Sequence, residues 1–182
     1  MRNRNPMKIP KRVHIIGSTG SGKTYLAKQL SDTFNIPYFE LDNAMWNRSV
    51  ENPGKNPPEV RDRLLNNILR QESWIVEGVY HTWTSQCFTL ADRIIFLTPN
   101  TYFRDLRIIT RFIKQRIGSE KSNYKQTLKG LIKMIKWNHK FERKIKTEII
   151  DCLKPHSTKV VIVENNKDIM NSVISSLSSD FT

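Results

Sequence analysis

Short apolar runs without polar alternation punctuate the chain. The first is Arg12-Val13-His14-Ile15-Ile16-Gly17. Ile36-Pro37-Tyr38-Phe39-Glu40-Leu41-Asp42, Trp74–Gly78, Arg93–Leu97 and Lys159–Val163 follow. Strands covered on both faces read this way, because neither side of the pleat meets water. Between them, apolar positions recur at helical spacing. Leu26, Leu30 and Phe34 share one face of a helix from Tyr25 to Phe34. Val60, Leu64 and Ile68 do so in a helix that opens at Pro58, where a missing N–H costs nothing, and ends near Gln71. A further helix is predicted from about Asn100 to Arg116. One or two basic helices span Tyr124 to Leu153, and a last one, opened by Asn165-Asn166, runs from Asp168 to about Leu177. Asn52–Pro58 reads as loop, and Gly118–Ser122 as a break between helices.

Strands thus alternate with helices, which predicts an α/β fold of three layers with a five-stranded parallel sheet at its centre. Residues 1–11 read as a flexible basic tail and 12–182 as a single domain without internal repeats.

At 182 residues the chain suits one domain. No apolar run approaches the ~20 residues that span a bilayer, and no apolar stretch follows the basic N-terminus as in a secretory signal. Cys87 and Cys152 are too few for a disulfide scaffold or a zinc ribbon. A reducing, cytoplasmic setting is therefore expected. The net charge of +13 changes the picture more, because it is unevenly placed. Residues 13–100 are nearly neutral, whereas 101–154 carry 15 basic against 5 acidic side chains. Such a stretch suits a nucleic acid, an anionic small molecule or simply a solvated helical face.

The chemistry concentrates in Gly17-Ser18-Thr19-Gly20-Ser21-Gly22-Lys23-Thr24, a complete G-x-x-x-x-G-K-S/T motif. It stands between a predicted strand and a predicted helix, where the mechanism needs it. Its glycines let backbone N–H groups turn inward onto phosphate oxygens, and the helix N-terminus adds positive potential. Lys23 is expected to bridge the β- and γ-phosphates of ATP, and Thr24 to offer its hydroxyl to Mg2+.

The order and spacing of the remaining segments resemble the adenylate kinase-like P-loop kinases of nucleosides and small molecules. More specifically they are similar to bacterial proteins of the DNA topology modulation (FlaR-related) family. The stretches that carry this are Val13–Thr24, Ile36–Asp42 with Trp46 after it, Trp74–Tyr80, Ala91–Leu97 and the Arg-rich helix. That family usually has D-G-N-Y where this chain has Glu77-Gly78-Val79-Tyr80, and an Arg near where His81-Thr82-Trp83 stands.

The resemblance implies a kinase fold with a short helical lid, placed at about 112–125, whose closure excludes water. It sets Asp42 at a strand end facing the acceptor, as a catalytic carboxylate, and Glu77 on the magnesium side beside Thr24. The plainer reading of either carboxylate is a helix cap or a loop hydrogen bond. Arg107 and Arg111 match the R-x-x-x-R of the helix that enters the lid in such kinases, with Arg104 one turn earlier on the same face and Arg116 as a lid arginine. The arginines would neutralise the travelling phosphate, and their plainer reading is a solvated basic face. His14 reads as structural, His81 as a marginal substrate contact, and Trp137, Phe141, Ile145 and Ile149 as core. Asn165-Asn166-Lys167 stands where such kinases seat adenine.

The expectation is an ATP-binding phosphotransferase that moves the γ-phosphate to a small acceptor, a nucleoside monophosphate or another small molecule, with Mg2+. The alternative is a nucleotide-regulated nucleic-acid-binding protein affecting DNA topology. A pure ATPase is a third reading.

Overall fold

The five apolar runs meet in one parallel sheet. A computed structural model describes residues 10–49, 53–120 and 127–164. Its strands are β1 (Arg12–Gly17), β2 (Tyr38–Glu40), β5 (Trp74–Gly78), β6 (Arg93–Leu97) and β7 (Val160–Val163), and they lie in the order β2-β5-β1-β6-β7. β1 is central, pairing Ile15 with Glu77 on one side and with Ile95 on the other. Its carboxyl end therefore opens between two neighbours, where open α/β sheets bind ligands.

The pleat sends alternate residues to two cores. Val13, Ile15, Ile75, Ile95 and Leu97 pack on Leu26, Ala27 and Leu30 of α1 (Lys23–Phe34). Ile16, Trp74, Val76, Ile94 and Phe96 pack on the opposite layer with Phe141, Ile149 and Leu153. Each such aliphatic side chain, fully withdrawn from water, stabilises the fold by roughly 1.5–3 kcal/mol. Phe141 and Ile149 are core, as expected, and Trp137 and Ile145 pack against that core.

Several elements differ from expectation. The second strand stops at Glu40, and Leu41–Met45 forms a short helix, α2, so Asp42 lies in a first helical turn rather than at a strand end. The predicted loop contains a strand: β4 (Gly54–Lys55) pairs antiparallel with β3 (Trp46–Asn47). In α3 (Pro58–Leu69) the buried residues are Leu65 and Leu69, while Leu64 is exposed. The inward stripe is thus rotated by one residue, and α3 packs on α2. A helix not foreseen, α4 (Ser85–Leu90), buries Cys87 and Phe88.

α5 (Thr101–Arg116) is capped by Asn100, whose side chain accepts from the Tyr102 N–H. The basic stretch resolves into α6 (Leu128–Lys140), a wider π-helical turn over Phe141–Ile145, and α7 (Lys146–Leu153). The helix predicted at 168–177, the Asn165–Lys167 loop, most of the tail and residues 121–125 of the expected lid lie outside the described residues.

Candidate functional site

The motif between β1 and α1 forms a closed loop over the sheet's carboxyl edge. Gly20 takes φ +76°, a left-handed backbone, and a Cβ there would meet the Arg104 carbonyl oxygen at 2.7 Å. Glycine is required on both counts. Gly22 caps α1 with φ 96°, leaving the first amides of the helix directed at the loop's concavity. Ser18 is fully buried, and its Oγ donates to Oδ1 of Asn138 on α6 at 2.8 Å.

Lys23 folds back over the loop, and its Nζ donates to the Ser18 carbonyl at 2.9 Å. It stands 4.0 Å from Oε2 of Glu77, the strand-end carboxylate of β5. The other oxygen of Glu77 accepts from the Thr24 hydroxyl at 2.5 Å. Lys23, Thr24 and Glu77 are thus brought together as the sequence led us to expect. Both charged groups are nearly withdrawn from solvent. Burial draws the Lys23 ammonium below its ordinary pKa, opposed by the charges of Glu77 and Asp42. Burial pushes the Glu77 carboxyl up, opposed by Lys23 and the Thr24 hydrogen bond. Negative charge brought close to Lys23 would oppose the effect of burial and favour its ammonium form.

A cavity of about 440 Å³ covers this cluster, lined by Lys23, Thr24, Glu77, Asp42, Arg107 and Arg111 among others. Arg107 reaches the loop itself, with Nη1 3.3 Å from the Gly20 carbonyl oxygen. The other two arginines do not join them. Arg104 is completely buried, paired with Glu142, donating to Thr101 Oγ1 at 2.7 Å and lying over the Phe141 ring. It ties α5 to the π-helical turn and does not line the cavity, although it shares a helical face with Arg107. Arg116 lies over the ring of Phe112, centroid distance 6.0 Å, and does not line the cavity either.

Asp42 stands at the seam between this cavity and a larger one of about 900 Å³. Its Oδ1 accepts from the Tyr80 hydroxyl at 2.7 Å. Burial and the Asp42 charge together raise the Tyr80 pKa, so Tyr80 stays a donor. The larger chamber is mostly apolar and includes Trp46, Tyr80, Met134 and Trp137. His81 also lines it and is held by Glu148 at 3.1 Å. Sequence reasoning missed Asn138, which lies in no motif and matters through a partner far away in the chain. Tyr80 stood in a motif, but nothing in the sequence announced its hydrogen bond to Asp42.

Magnesium fits the donor chemistry here. Thr24 and Glu77 present hard oxygen ligands beside a phosphate cradle, and Mg2+ is held by one or two such groups together with phosphate oxygens and water. No cluster of three protein ligands exists among the described residues.

No family model and no curated protein matches the sequence. Solved structures do match. A shikimate kinase from Acinetobacter baumannii, in complex with shikimate, aligns with TM-score 0.58 at 12% identity, covering 96% of each chain. A gluconokinase from Sinorhizobium meliloti 1021 aligns with TM-score 0.52 at 13% identity, over 92% of this chain and 90% of that one. At such identities the similarity establishes the architecture. The fold is a three-layer α/β fold with a five-stranded parallel sheet, similar to that of the P-loop kinases that match.

Proposed function

We propose that this protein is an ATP-dependent phosphotransferase acting on a small acceptor with Mg2+. One observation carries the reading. A buried Lys23–Glu77–Thr24 cluster under a phosphate loop opens directly, through Asp42, into a second chamber of acceptor size. A hydrolase needs only the first cavity. A transferase needs both, with a carboxylate at the seam.

The loop amides and Lys23 hold the β- and γ-phosphates of ATP. Thr24 and Glu77 hold Mg2+, which when bound neutralises charge on those phosphates. Asp42 orients the acceptor hydroxyl and takes its proton, with Tyr80 fixing the carboxylate. A bond forms between the acceptor oxygen and the γ-phosphorus while the bond from the γ-phosphorus to the bridging oxygen of ADP breaks. The products are ADP and a phosphomonoester. Arg107 and Arg111 stabilise the charge on the phosphoryl group in flight. The kinases that match by fold, one of them bound to shikimate, are consistent with a small hydroxylated acceptor. ADP release with Mg-ATP across candidate acceptors, paired with detection of the phosphorylated acceptor, tests the reading.

A second reading follows from the resemblance to topology modulation proteins. Lys129, Lys133, Lys136 and Lys140 form an exposed stripe at helical spacing along α6, which suits a nucleic-acid backbone. Binding through such contacts falls steeply with salt. Salt-sensitive duplex binding without phosphorylation of any small acceptor would favour that reading.

A further inference from the structure

We propose that the 900 Å³ chamber takes an uncharged aromatic alcohol, so that the phosphoryl acceptor is a planar ring compound carrying a free hydroxyl and no acidic group. This rests on the kinase reading and narrows it to a substrate class.

Three features of the chamber lead there. The first is its wall. Trp46, Tyr80, Met134, Trp137 and Ile145 come from β3, the segment after β5, α6 and the π-helical turn, and converge on one space. Indole and phenol rings accept a flat partner in offset or edge-on contact. Two of these rings are already held from outside the chamber's content: Trp137 lies 5.7 Å from the Phe141 ring, and Lys55 sits over Trp46 at 5.6 Å. The surfaces that a ligand would meet are therefore pre-set.

The second feature is charge. Among the described lining residues the formal charges are one carboxylate, Asp42, and one guanidinium, Arg48, which cancel. His81 is committed to Glu148. Arg48 also lines the phosphate cavity, so its charge faces the triphosphate as well. A carboxylate or phosphate on the acceptor would lie among aromatic faces, whose potential is negative, with a cation already shared. A neutral ring meets no such penalty.

The third feature is placement. Asp42, with Oδ1 held by Tyr80, belongs to both cavities, so a hydroxyl at the inner edge of a ring lodged between the tryptophans lies on the phosphoryl path.

The test uses the full chain and three sets of probes: benzyl alcohol, pyridoxine and adenosine as neutral aromatic alcohols; shikimate and gluconate as anionic polyols; AMP and UMP as anionic nucleotides. Tryptophan fluorescence reads binding, and coupled ADP release with detection of the phosphomonoester reads transfer. At least one neutral aromatic alcohol should quench saturably and be phosphorylated with the highest kcat/KM. Trp46→Ala, at a partly exposed position that tolerates truncation, should raise its KM about tenfold and leave ATP affinity unchanged. Trp137→Leu, which keeps an apolar contact to the core, should act in the same direction. Preferred phosphorylation of a polyol or a nucleotide overturns this inference and leaves the kinase reading standing. Trp46-dependent binding of an aromatic alcohol without any transfer supports the chamber and overturns the kinase reading. Neither binding nor transfer with any aromatic alcohol overturns the inference.

Discussion

The Ser18 hydroxyl donates to Oδ1 of Asn138 at 2.8 Å, and both residues are wholly excluded from solvent. Asn138 in turn donates to Oδ1 of Asp105 at 2.7 Å, and Asp105 Oδ2 meets His139 at 2.8 Å. The phosphate loop is thereby fastened to α5 and α6, the helices that carry Arg107 on one side and Trp137 on the other. Asn138→Ala leaves a buried hydroxyl and a partly buried carboxylate oxygen without this partner. We expect it to destabilise the protein by about 1–3 kcal/mol and to weaken ATP binding. Urea denaturation and titration with a fluorescent ATP analogue measure the two effects.

The Glu77 carboxyl is held above its ordinary value of 4.5 by burial. It therefore takes a proton at higher pH than a surface glutamate does. As pH falls, the ionised form proposed to hold Mg2+ is lost. The profile of kcat/KM against pH at sub-saturating Mg2+, where proton and cation compete for the carboxylate, should have an acid limb above pH 4.5. Glu77→Gln should remove that limb and lower turnover by about 100-fold.

The arginines of α5 are expected to divide by position. Arg107 and Arg111 line the phosphate cavity, whereas Arg116 lies on Phe112. Replacing Arg107 or Arg111 with Ala should lower kcat by about 100-fold. Arg116→Ala should change it by less than about twofold, as an exposed side chain outside the cavity would. Steady-state kinetics on the three variants decide the matter.

His14 is fully buried against Phe88, with its pKa lowered by burial from 6.5 to about 3. The unfolded chain therefore binds a proton that the folded chain refuses between those values. The stability associated with neutral His14 is complete above pH 6.5 and is lost progressively as pH falls toward 3. The slope from this residue is at most about 1.4 kcal/mol per pH unit. His14→Phe, which keeps a ring at the same contact, should flatten that part of the profile in denaturation experiments at several pH values.

The phosphate loop and the alternation of strands were legible because both are local. Gly17 to Thr24 is contiguous, and buried parallel strands announce themselves by unbroken apolar runs. Asp42 lines both cavities, but on a short helix and not at the strand end that was expected. Leu41 and Ala44 are buried as the inner face of α2, and a single helical turn leaves too few residues to display a period. Gly54–Lys55 read as loop because its Pro/Gly/Asn surroundings suit turns, while its strand character comes from pairing with Trp46–Asn47. Arg104 and Arg107 share a helical face, and sequence cannot tell which of two neighbouring arginines turns inward. Glu142, contributed by the next helical segment, decides that for Arg104. Asn138 was invisible for the same reason, since its partner Ser18 lies at the other end of the chain.

The most direct measurement is Mg-ATP turnover by the purified protein and by Lys23→Ala, with ADP and the phosphorylated acceptor quantified together. The account predicts that ADP and phosphoacceptor appear in equal amounts in the wild type and that both fall by at least about 100-fold in the variant. Turnover unaffected by Lys23→Ala, or ADP released with free phosphate and no phosphoacceptor, would contradict it.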